Sequence, residues 1–388
     1  MSARGTAKEN TYRLALISSQ AFSIINFRGP LLRELVARGA TVYALAPDFD
    51  DTSRASVTAL GAMPVDYSMS RTGMNPLRDV LGLFRLTLLL RRLRVDVAFS
   101  YFIKPVIYGT LAARFASVPK RFAMIEGAGY VFTEGEKRTG RRRLLRGVVT
   151  WLYRLALGQA ARVFMLNQDD KALFVSEGMV SASKVQLLDG IGLDLDHYHQ
   201  VEPVLHPVCF ILIARLIREK GVYDYIEAAR KVKALHPETR FILLGNVDLN
   251  PGSVSESELR AWVAEGVVEW PGQVTDVRSW IAAASVFVLP SFYREGLPRS
   301  TQEAMAMGRP VITTDMPGCK ETVEQGVNGF VVPARNPDAL ARVMMDFIEQ
   351  PELIAPMGAA SRRMAEERFD VHTINATILQ AMGIQVCK

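Results

Sequence analysis

The chain has 388 residues, a hydrophobic content of 49% and a net charge of +6 at pH 7. That length predicts two or three domains of about 150 residues each, and the apolar content excludes an intrinsically disordered chain. The three cysteines, Cys209, Cys319 and Cys387, are scattered, which excludes a disulfide framework or zinc-finger spacing and favours a reducing compartment.

Apolar clusters alternate with amphipathic stretches along the first half of the chain, as in a parallel sheet with crossover helices. Residues 12–17 predict the first strand and residues 27–38 the helix after it. Further strands are predicted at residues 41–46, 95–101, 121–125 and 162–166.

The same pattern restarts after a polar stretch at residues 192–206. Strands are predicted at 207–214, 240–245, 267–270, 286–289 and 310–314, and helices at 221–235 and from Thr301 onward. The predicted fold class is therefore α/β with two Rossmann-like domains. We place the first at residues 1–198, with a C-terminal helix at 370–388 packing back on it, and the second at 199–369. Because open parallel sheets bind ligands beyond the carboxyl ends of their strands, the predicted active site is a cleft between two facing domains.

Positive charge is concentrated in the first half, where residues 1–200 carry 27 Lys and Arg against 17 Asp and Glu. Two segments, 82–95 and 137–157, combine arginines with leucines and aromatic residues, which predicts helices lying on an anionic membrane surface. Neither segment reaches the roughly 18 apolar residues needed to span a bilayer. The alternative is that both are ordinary domain helices with snorkelling arginines. No nucleic-acid signature accompanies the charge.

Two carboxylates, Glu295 and Glu303, are separated by seven residues after the predicted strand at 286–289. Gly296 and Pro298 predict a turn between them, and a helix follows. Free N–H groups at a helix start favour a phosphate, and carboxylates accept hydrogen bonds from sugar hydroxyls. The pair therefore predicts a nucleotide-sugar site. The alternative is that Ser300 and Glu303 form a capping box and Glu295 is a solvated loop residue.

Two cations, Arg215 and Lys220, lie in the loop after the predicted strand at 207–214. A guanidinium and an ammonium at such a place are suited to clamp a diphosphate. A basic loop alone is usually a solvated face, but this one shares its predicted sheet edge with Glu295 and Glu303.

Two short motifs are weaker. Asp194 and Asp196 form an Asp-x-Asp pair, but they lie in the polar seam between domains, so we predict no metal. Gly127 and Gly129 lack the third glycine of a dinucleotide-binding fingerprint, so no NAD is implied.

Several motifs together resemble the retaining glycosyltransferases of family four, which have the GT-B fold. They are residues 214–221, 271–274, 295–308 and 327–330, and they cover almost all of the second domain. In the first domain, residues 100–109 and 125–133 are similar to a narrower branch. Its members add N-acetylgalactosamine to undecaprenyl-diphosphate-linked bacillosamine or act in related polysaccharide synthesis.

The resemblance implies a catalytic role for Arg215, Lys220 and Glu295. Arg215 and Lys220 would hold the donor diphosphate and stabilise its charge as it leaves, while Glu295 would lie near the donor sugar. Glu303 would bind the ribose hydroxyls.

The resemblance also implies further donor contacts. The amides of Gly296 and Leu297 would contact the sugar or phosphate, and Gln273 and Val274 would frame a base, expected to be uracil.

On the acceptor side the chain departs from the family pattern. Many relatives carry a glycine-rich loop after the first strand, where this chain has residues 18–23 without a glycine. Arg28 and Lys104 are therefore the candidates for contacting an acceptor phosphate. Glu126 is a candidate for orienting the acceptor, with a structural loop carboxylate as the alternative.

The function expected from these features is retaining transfer of a hexose or N-acetylhexosamine, with N-acetylgalactosamine favoured. The donor would be a UDP-sugar and the acceptor an undecaprenyl-diphosphate-linked sugar at the cytoplasmic face of the inner membrane, with no metal or other cofactor. The alternatives are the same fold with a soluble acceptor and a catalytically idle, membrane-docked component of a polysaccharide assembly. A nucleotide-sugar epimerase is disfavoured, because the five histidines supply no complete acid–base set.

Overall fold

The computed structural model describes residues 12–69, 76–132, 140–247 and 252–384. The chain divides into two compact units. Unit 1 comprises residues 1–126, 137–191 and 372–388, and unit 2 comprises residues 127–136 and 192–371. The boundary expected at residue 198 thus lies at Gly192 by contacts, and the segment 127–136 groups with unit 2.

Unit 1 is built on a seven-stranded parallel sheet. Its strands are β1 (Arg13–Ile17), β2 (Thr41–Ala46), β3 (Met63–Asp66), β4 (Val97–Tyr101), β5 (Lys120–Ile125), β6 (Arg162–Met165) and β7 (Val185–Leu187). They are arranged in the order β3-β2-β1-β4-β5-β6-β7. The central strands are nearly continuous apolar runs, since helices cover both faces of a parallel sheet.

The helices of unit 1 connect these strands as crossovers. They are α1 (Ala21–Ala37), α2 (Asp51–Ala59), α3 (Pro76–Leu93), α4 (Thr110–Phe115), α5 (Gly140–Gly158) and α6 (Gln168–Ser176). A single π-helical turn, Pro105–Gly109, leads into α4, and both α3 and α5 contact it. Helix α3 buries Leu86 and Leu90 against Ala15 and Ile17 of β1 and Ala98 of β4, which fixes one helical layer on the sheet.

Unit 2 is built on a six-stranded parallel sheet. Its strands are β8 (Cys209–Ile213), β9 (Arg240–Leu244), β10 (Glu269–Gly272), β11 (Val286–Leu289), β12 (Val311–Thr314) and β13 (Gly329–Val332), in the order β10-β9-β8-β11-β12-β13. The helices that follow are α7 (Val222–Leu235), α8 (Glu256–Ala264), α9 (Arg278–Ala282), α10 (Arg299–Ala306), α11 (Pro337–Glu349), α12 (Ile354–Arg368) and α13 (Val371–Ala381). Residues from His372 onward, most of α13, group with unit 1, where Lys120 Nζ donates to the Met382 carbonyl.

Short 3-10 turns complete the connections in both units. They are Tyr130–Phe132, Ala182–Lys184, Arg218–Lys220, Lys320–Thr322 and Pro351–Leu353.

The predicted strands are confirmed within one or two residues at most ends, and the helix predicted from residue 27 begins at Ala21. Three strands were missed, namely β3, β7 and β13. All three have three or four residues and lie at sheet edges. A short, half-exposed edge strand carries no continuous apolar run, so its sequence gives little periodic signal.

The strand order reverses once in each sheet, between β1 and β4 in unit 1 and between β8 and β11 in unit 2. The loops leaving two adjacent strands diverge at such a switch point, and ligands of open α/β sheets bind there. Most of the predicted site residues follow the carboxyl ends of these four strands.

Candidate active site

The loop after β8 is held against the end of β11 by a glycine. The 3-10 turn Arg218–Lys220 ends at Gly221, which has a φ of 74°. A Cβ at Gly221 would lie 2.0 Å from the carbonyl oxygen of Pro290, just beyond β11. Only glycine fits this close approach with a positive φ. The sequence pair Lys220-Gly221 thus places the lysine beside the loop that leaves β11.

Lys220 and Glu295 form an ion pair at this switch point. Their side chains are 13% and 10% exposed, so the charges are largely shielded from water. Ser291 Oγ donates to Glu295 Oε1 at 3.0 Å, and the backbone N–H groups of Phe292 and Tyr293 donate to the Glu219 carbonyl. Cation and carboxylate are therefore held in place from both loops.

Two further glycines lie against the Glu295–Gly296 peptide, and sequence reasoning assigned neither to the site. A Cβ at Gly318, where φ is 82°, would lie 2.6 Å from the carbonyl oxygens of Glu295 and Gly296. A Cβ at Gly127, where φ is 119°, would lie 2.7 Å from the Gly296 nitrogen. Both glycines let backbone approach this peptide closely. Gly127 was noted only as part of an incomplete dinucleotide motif.

Glu303 lies in the second turn of α10, because the helix begins at Arg299 and not at Thr301 as predicted. The residue capping α10 is Pro298, with no side-chain cap, and Ser300 lies inside the helix, so the capping-box alternative is not formed. Glu303 Oε1 accepts hydrogen bonds from Arg299 Nε at 2.9 Å and Tyr198 Oη at 3.1 Å. Burial raises the pKa of Glu303 above its ordinary value, and Arg299 opposes that rise.

The other donor-side candidates lie along the same sheet edge. Arg215 follows β8 and is exposed; Gln273, also exposed, and half-buried Val274 follow β10. Gly296 and Leu297 are buried in the turn before α10. The structure thus brings Lys220 into contact with Glu295 and distributes the remaining residues over the ends of β8, β10 and β11.

In unit 1, Arg28 and Glu126 form an ion pair at the ends of the strands. The Arg28 guanidinium is 1% exposed and lies over the Tyr101 ring, 4.8 Å from its centroid. Tyr101 Oη and Ser23 Oγ are 2.9 Å apart in the same buried network. Glu126, whose side chain is 13% exposed, is therefore held by a cation beneath the surface.

Lys104 follows β4 at the start of the π-helical turn. Its ammonium donates to both carboxylate oxygens of Asp79, at 2.9 and 3.2 Å. Tyr108 Oη donates to the same carboxylate at 3.3 Å. Both cations proposed for the acceptor side are thus paired with carboxylates near the switch point of the first sheet.

The Asp194-x-Asp196 motif forms a local turn. Asp194 Oδ1 accepts from the backbone nitrogens of Asp196 and His197, at 3.2 and 3.0 Å. Within the described ranges, no three His, Cys, Asp or Glu side chains are grouped so as to hold a metal ion.

Two family models match this chain, one in each half. Residues 31–189 match the model described as Glycosyltransferase Family 4, and residues 207–350 match the model described as Glycosyl transferases group 1. Each half of the chain therefore contains a glycosyltransferase domain of these families. The resemblance read from the motifs is thereby confirmed, and the second match contains Arg215, Lys220, Glu295 and Glu303.

Curated relatives of this glycosyltransferase include two enzymes that act on lipid-linked sugars. It is 26% identical over 359 residues to the N,N'-diacetylbacillosaminyl-diphospho-undecaprenol alpha-1,3-N-acetylgalactosaminyltransferase of Campylobacter jejuni, covering 88% of this chain and 90% of the relative. It is 25% identical over 291 residues to the UDP-Gal:alpha-D-GlcNAc-diphosphoundecaprenol alpha-1,3-galactosyltransferase of Escherichia coli, covering 70% and 72%.

Solved structures establish the fold of the glycosyltransferase. Anabaena HepE in complex with UDP superimposes with a TM-score of 0.74 at 19% identity, covering 97% of this chain and 100% of HepE. Sucrose-phosphate synthase from Thermosynechococcus elongatus gives a TM-score of 0.77 at 18% identity, covering 95% and 98%. The prediction of a GT-B fold is confirmed.

Proposed function

We propose that this glycosyltransferase moves a hexose or N-acetylhexosamine, with N-acetylgalactosamine favoured, from a UDP-sugar to an undecaprenyl-diphosphate-linked sugar with retention. The contact between Lys220 and Glu295 at the β8/β11 switch point carries the proposal. A cation for the leaving diphosphate and a carboxylate for the sugar are there held side by side. The names of both lipid-linked relatives support the acceptor class, and the Escherichia coli name supports a UDP donor.

Lys220 and Arg215 would bind the donor diphosphate and stabilise the negative charge that grows on it as the glycosidic bond breaks. The backbone amides of Gly296 and Leu297 would contact the sugar or phosphate. Glu303 would accept hydrogen bonds from the ribose hydroxyls.

Gln273 and Val274, beyond the end of β10, would frame the uracil. The strand that they follow belongs to the same sheet as the strands at the proposed diphosphate site. The carboxyl-end edge of the unit 2 sheet would therefore supply the donor contacts.

Retention follows from a front-face reaction. The acceptor hydroxyl attacks the anomeric carbon on the side from which the phosphate leaves, and the departing phosphate oxygen accepts the hydroxyl proton. The names of both lipid-linked relatives specify an α-1,3 linkage. In UDP-GalNAc and UDP-Gal the anomeric bond to the diphosphate is α, so an α-linked product corresponds to retention. Glu126, held by Arg28, would orient the acceptor, and Lys104 would lie near its phosphate.

The donor and acceptor are tested by UDP release from UDP-GalNAc, UDP-GlcNAc, UDP-Gal and UDP-Glc, with and without an undecaprenyl-diphosphate-linked sugar. We expect release that depends on the lipid acceptor and is fastest with UDP-GalNAc. If folded protein that binds UDP released no UDP from any of the four donors, that result would contradict the lipid-acceptor proposal. Equal turnover of a water-soluble acceptor would favour the alternative acceptor class.

We further propose that the protein works at the cytoplasmic face of the inner membrane, docked on anionic lipid through α3 and α5. No helix in the described ranges has the length and apolarity to cross a bilayer. Both helices nevertheless carry an exposed apolar stripe with the same spacing, at residues 77, 81, 84 and 88 of α3 and 144, 148, 151 and 155 of α5. Leu77, Phe84, Leu144 and Trp151 are each more than half exposed.

Charge beside the stripes favours lipid over a neutral protein partner. Arg78 and Arg85 on α3 and Arg143 on α5 are exposed, and each basic residue near anionic lipid contributes about 1 kcal/mol. Arg146 is paired with Glu177. Lys137 and Arg138, the first two residues of the 137–157 segment, lie outside the described residues.

Removing the α5 stripe should weaken membrane binding. We expect the double variant Leu144→Ser, Trp151→Ser to lower partitioning onto phosphatidylglycerol vesicles by tenfold or more, since each buried apolar side chain contributes about 1.5–3 kcal/mol. Cosedimentation with vesicles measures the fraction of protein bound to the lipid. Leu235→Ser is a matched control, because Leu235 of α7 is 67% exposed and lies in unit 2. Equal binding of all three proteins would contradict the assignment.

A further inference from the structure

Glu303 has its two carboxylate oxygens in different surroundings. Oε1 accepts from both Tyr198 Oη and Arg299 Nε. Within the part of the chain that the structure describes, Oε2 has no hydrogen-bond donor, and the side chain as a whole is 11% exposed. A carboxylate with two hydrogen bonds to one of its oxygens cannot rotate without losing both of them. It therefore presents Oε2 in one fixed direction.

The two donors come from separate parts of unit 2, and each is itself held. Arg299 lies one turn before Glu303 on α10 and also donates to the Gly192 carbonyl at 3.2 Å. Tyr198 lies 105 residues before Glu303. The Arg362 guanidinium donates to the Tyr198 carbonyl at 2.8 Å.

The Tyr198 hydroxyl is a neutral donor throughout the working pH range. Burial raises the pKa of Tyr198 far above its usual range, and the Glu303 carboxylate beside it raises it further. Its hydrogen bond to a carboxylate is charge-assisted and thus stronger than one between neutral groups.

We infer that Tyr198 and Arg299 are positioning residues that aim Glu303 Oε2 at a ribose hydroxyl of the nucleotide. This inference rests on the proposed donor role of Glu303 and extends it to two residues that touch no substrate atom. Because the carboxylate is oriented before the nucleotide arrives, little ordering cost remains on binding. The specificity of the site for a ribonucleotide over a deoxyribonucleotide then depends on Tyr198.

The test compares UDP with 2′-deoxy-UDP and 3′-deoxy-UDP by isothermal titration calorimetry. A buried carboxylate that recognises a hydroxyl should favour UDP over at least one deoxy analogue by about tenfold or more, the scale of a hydrogen bond to a charged group. Tyr198→Phe removes only the hydroxyl. We expect it to reduce that preference severalfold, because UDP binds more weakly while the deoxy analogue is nearly unaffected.

A purely structural role for Tyr198 would weaken UDP and its deoxy analogues equally and leave their ratio unchanged. The kinetic signature differs as well. Tyr198→Phe should raise KM for the UDP-sugar with kcat nearly unchanged, since ribose contacts are made equally in the ground and transition states. Arg299→Lys, which keeps the charge but loses the Nε donor, should show the same change in ratio, and it provides a second variant if Tyr198→Phe does not fold.

A matched control is available elsewhere in unit 2. Tyr223 Oη donates to Glu258 Oε1 at 3.0 Å, so Tyr223→Phe deletes the same kind of bond away from Glu303. It should keep the wild-type ratio of UDP to deoxy-UDP affinities.

Different results would contradict the proposed role of Glu303 and the proposed role of Tyr198. If Glu303→Gln keeps the full preference for UDP, Glu303 does not read the ribose, and both proposals are overturned. If Glu303→Gln loses the preference while Tyr198→Phe and Arg299→Lys keep it, the ribose role stands and the positioning inference is overturned.

Discussion

Replacing Lys220 by methionine should lower kcat for sugar transfer by about 10²–10³-fold, the cost of deleting one group that stabilises transition-state charge. Methionine is nearly as long as lysine and lacks the ammonium group, so both the charge and its N–H donors are removed. The loss is large because Lys220 is 13% exposed, so water screens its charge poorly. Glu295 also loses the cation that holds it beside Ser291. UDP release at saturating donor and acceptor measures the change.

The control is another lysine of unit 2 that forms ion pairs. Lys231 contacts Asp338 and Glu227, but its side chain is 39% exposed and that of Asp338 is 71% exposed. Exposed pairs contribute about 0–1 kcal/mol, so Lys231→Met should retain wild-type kcat and nearly wild-type stability. A folded Lys220→Met enzyme with kcat within fivefold of wild type would rule out the leaving-group role.

The charged centre of the site was predictable because its residues lie in short loops after strongly apolar strands. Strands β8 and β11 carry continuous buried runs, and parallel strands bring their carboxyl ends to one sheet edge. Lys220 and Glu295 therefore followed from local pattern and topology alone. Their direct contact also requires β8 and β11 to be neighbours in the sheet. The sequence alone does not show this strand order.

Tyr198 was not predictable, because its partner Glu303 lies 105 residues away. No periodic pattern in the sequence links Tyr198, in the polar stretch between the domains, to helix α10. Arg299 carried a signal, since residues i and i+4 of a helix lie side by side. That signal was masked by the capping-box pattern at Ser300 and Glu303.

The positions of the two cations that are candidates for the acceptor side follow from the sequence, but their ion-pair partners do not. Arg28 and Lys104 follow adjacent strands β1 and β4, as expected for a switch point. Their partners, Glu126 and Asp79, are 98 and 25 residues away. Long-range pairing of charges depends on how helices pack on the sheet, and a single sequence does not reveal it.

Replacing Gly221 by alanine should lower the free energy of unfolding by about 2–5 kcal/mol and reduce kcat about as much as Lys220→Met. Two costs add. A positive φ costs an alanine about 1–2 kcal/mol, and the new Cβ would lie 2.0 Å from the Pro290 carbonyl oxygen. Relieving such an overlap costs about 1–3 kcal/mol. The relief must move the backbone beside Lys220 away from the loop after β11, which separates the lysine from Glu295.

Gly266→Ala separates the two costs. Gly266 has a φ of 75°, against 74° at Gly221, but a Cβ there would meet no atom within 4 Å. It should cost only the backbone contribution of about 1–2 kcal/mol and leave kcat unchanged. Urea unfolding of both variants, with UDP release for each, measures the difference. Equal destabilisation by both alanines would show that the close approach of the loop to Pro290 does not hold Lys220 in place. A Gly221→Ala enzyme that is destabilised but fully active would show instead that the ion pair tolerates movement of the loop.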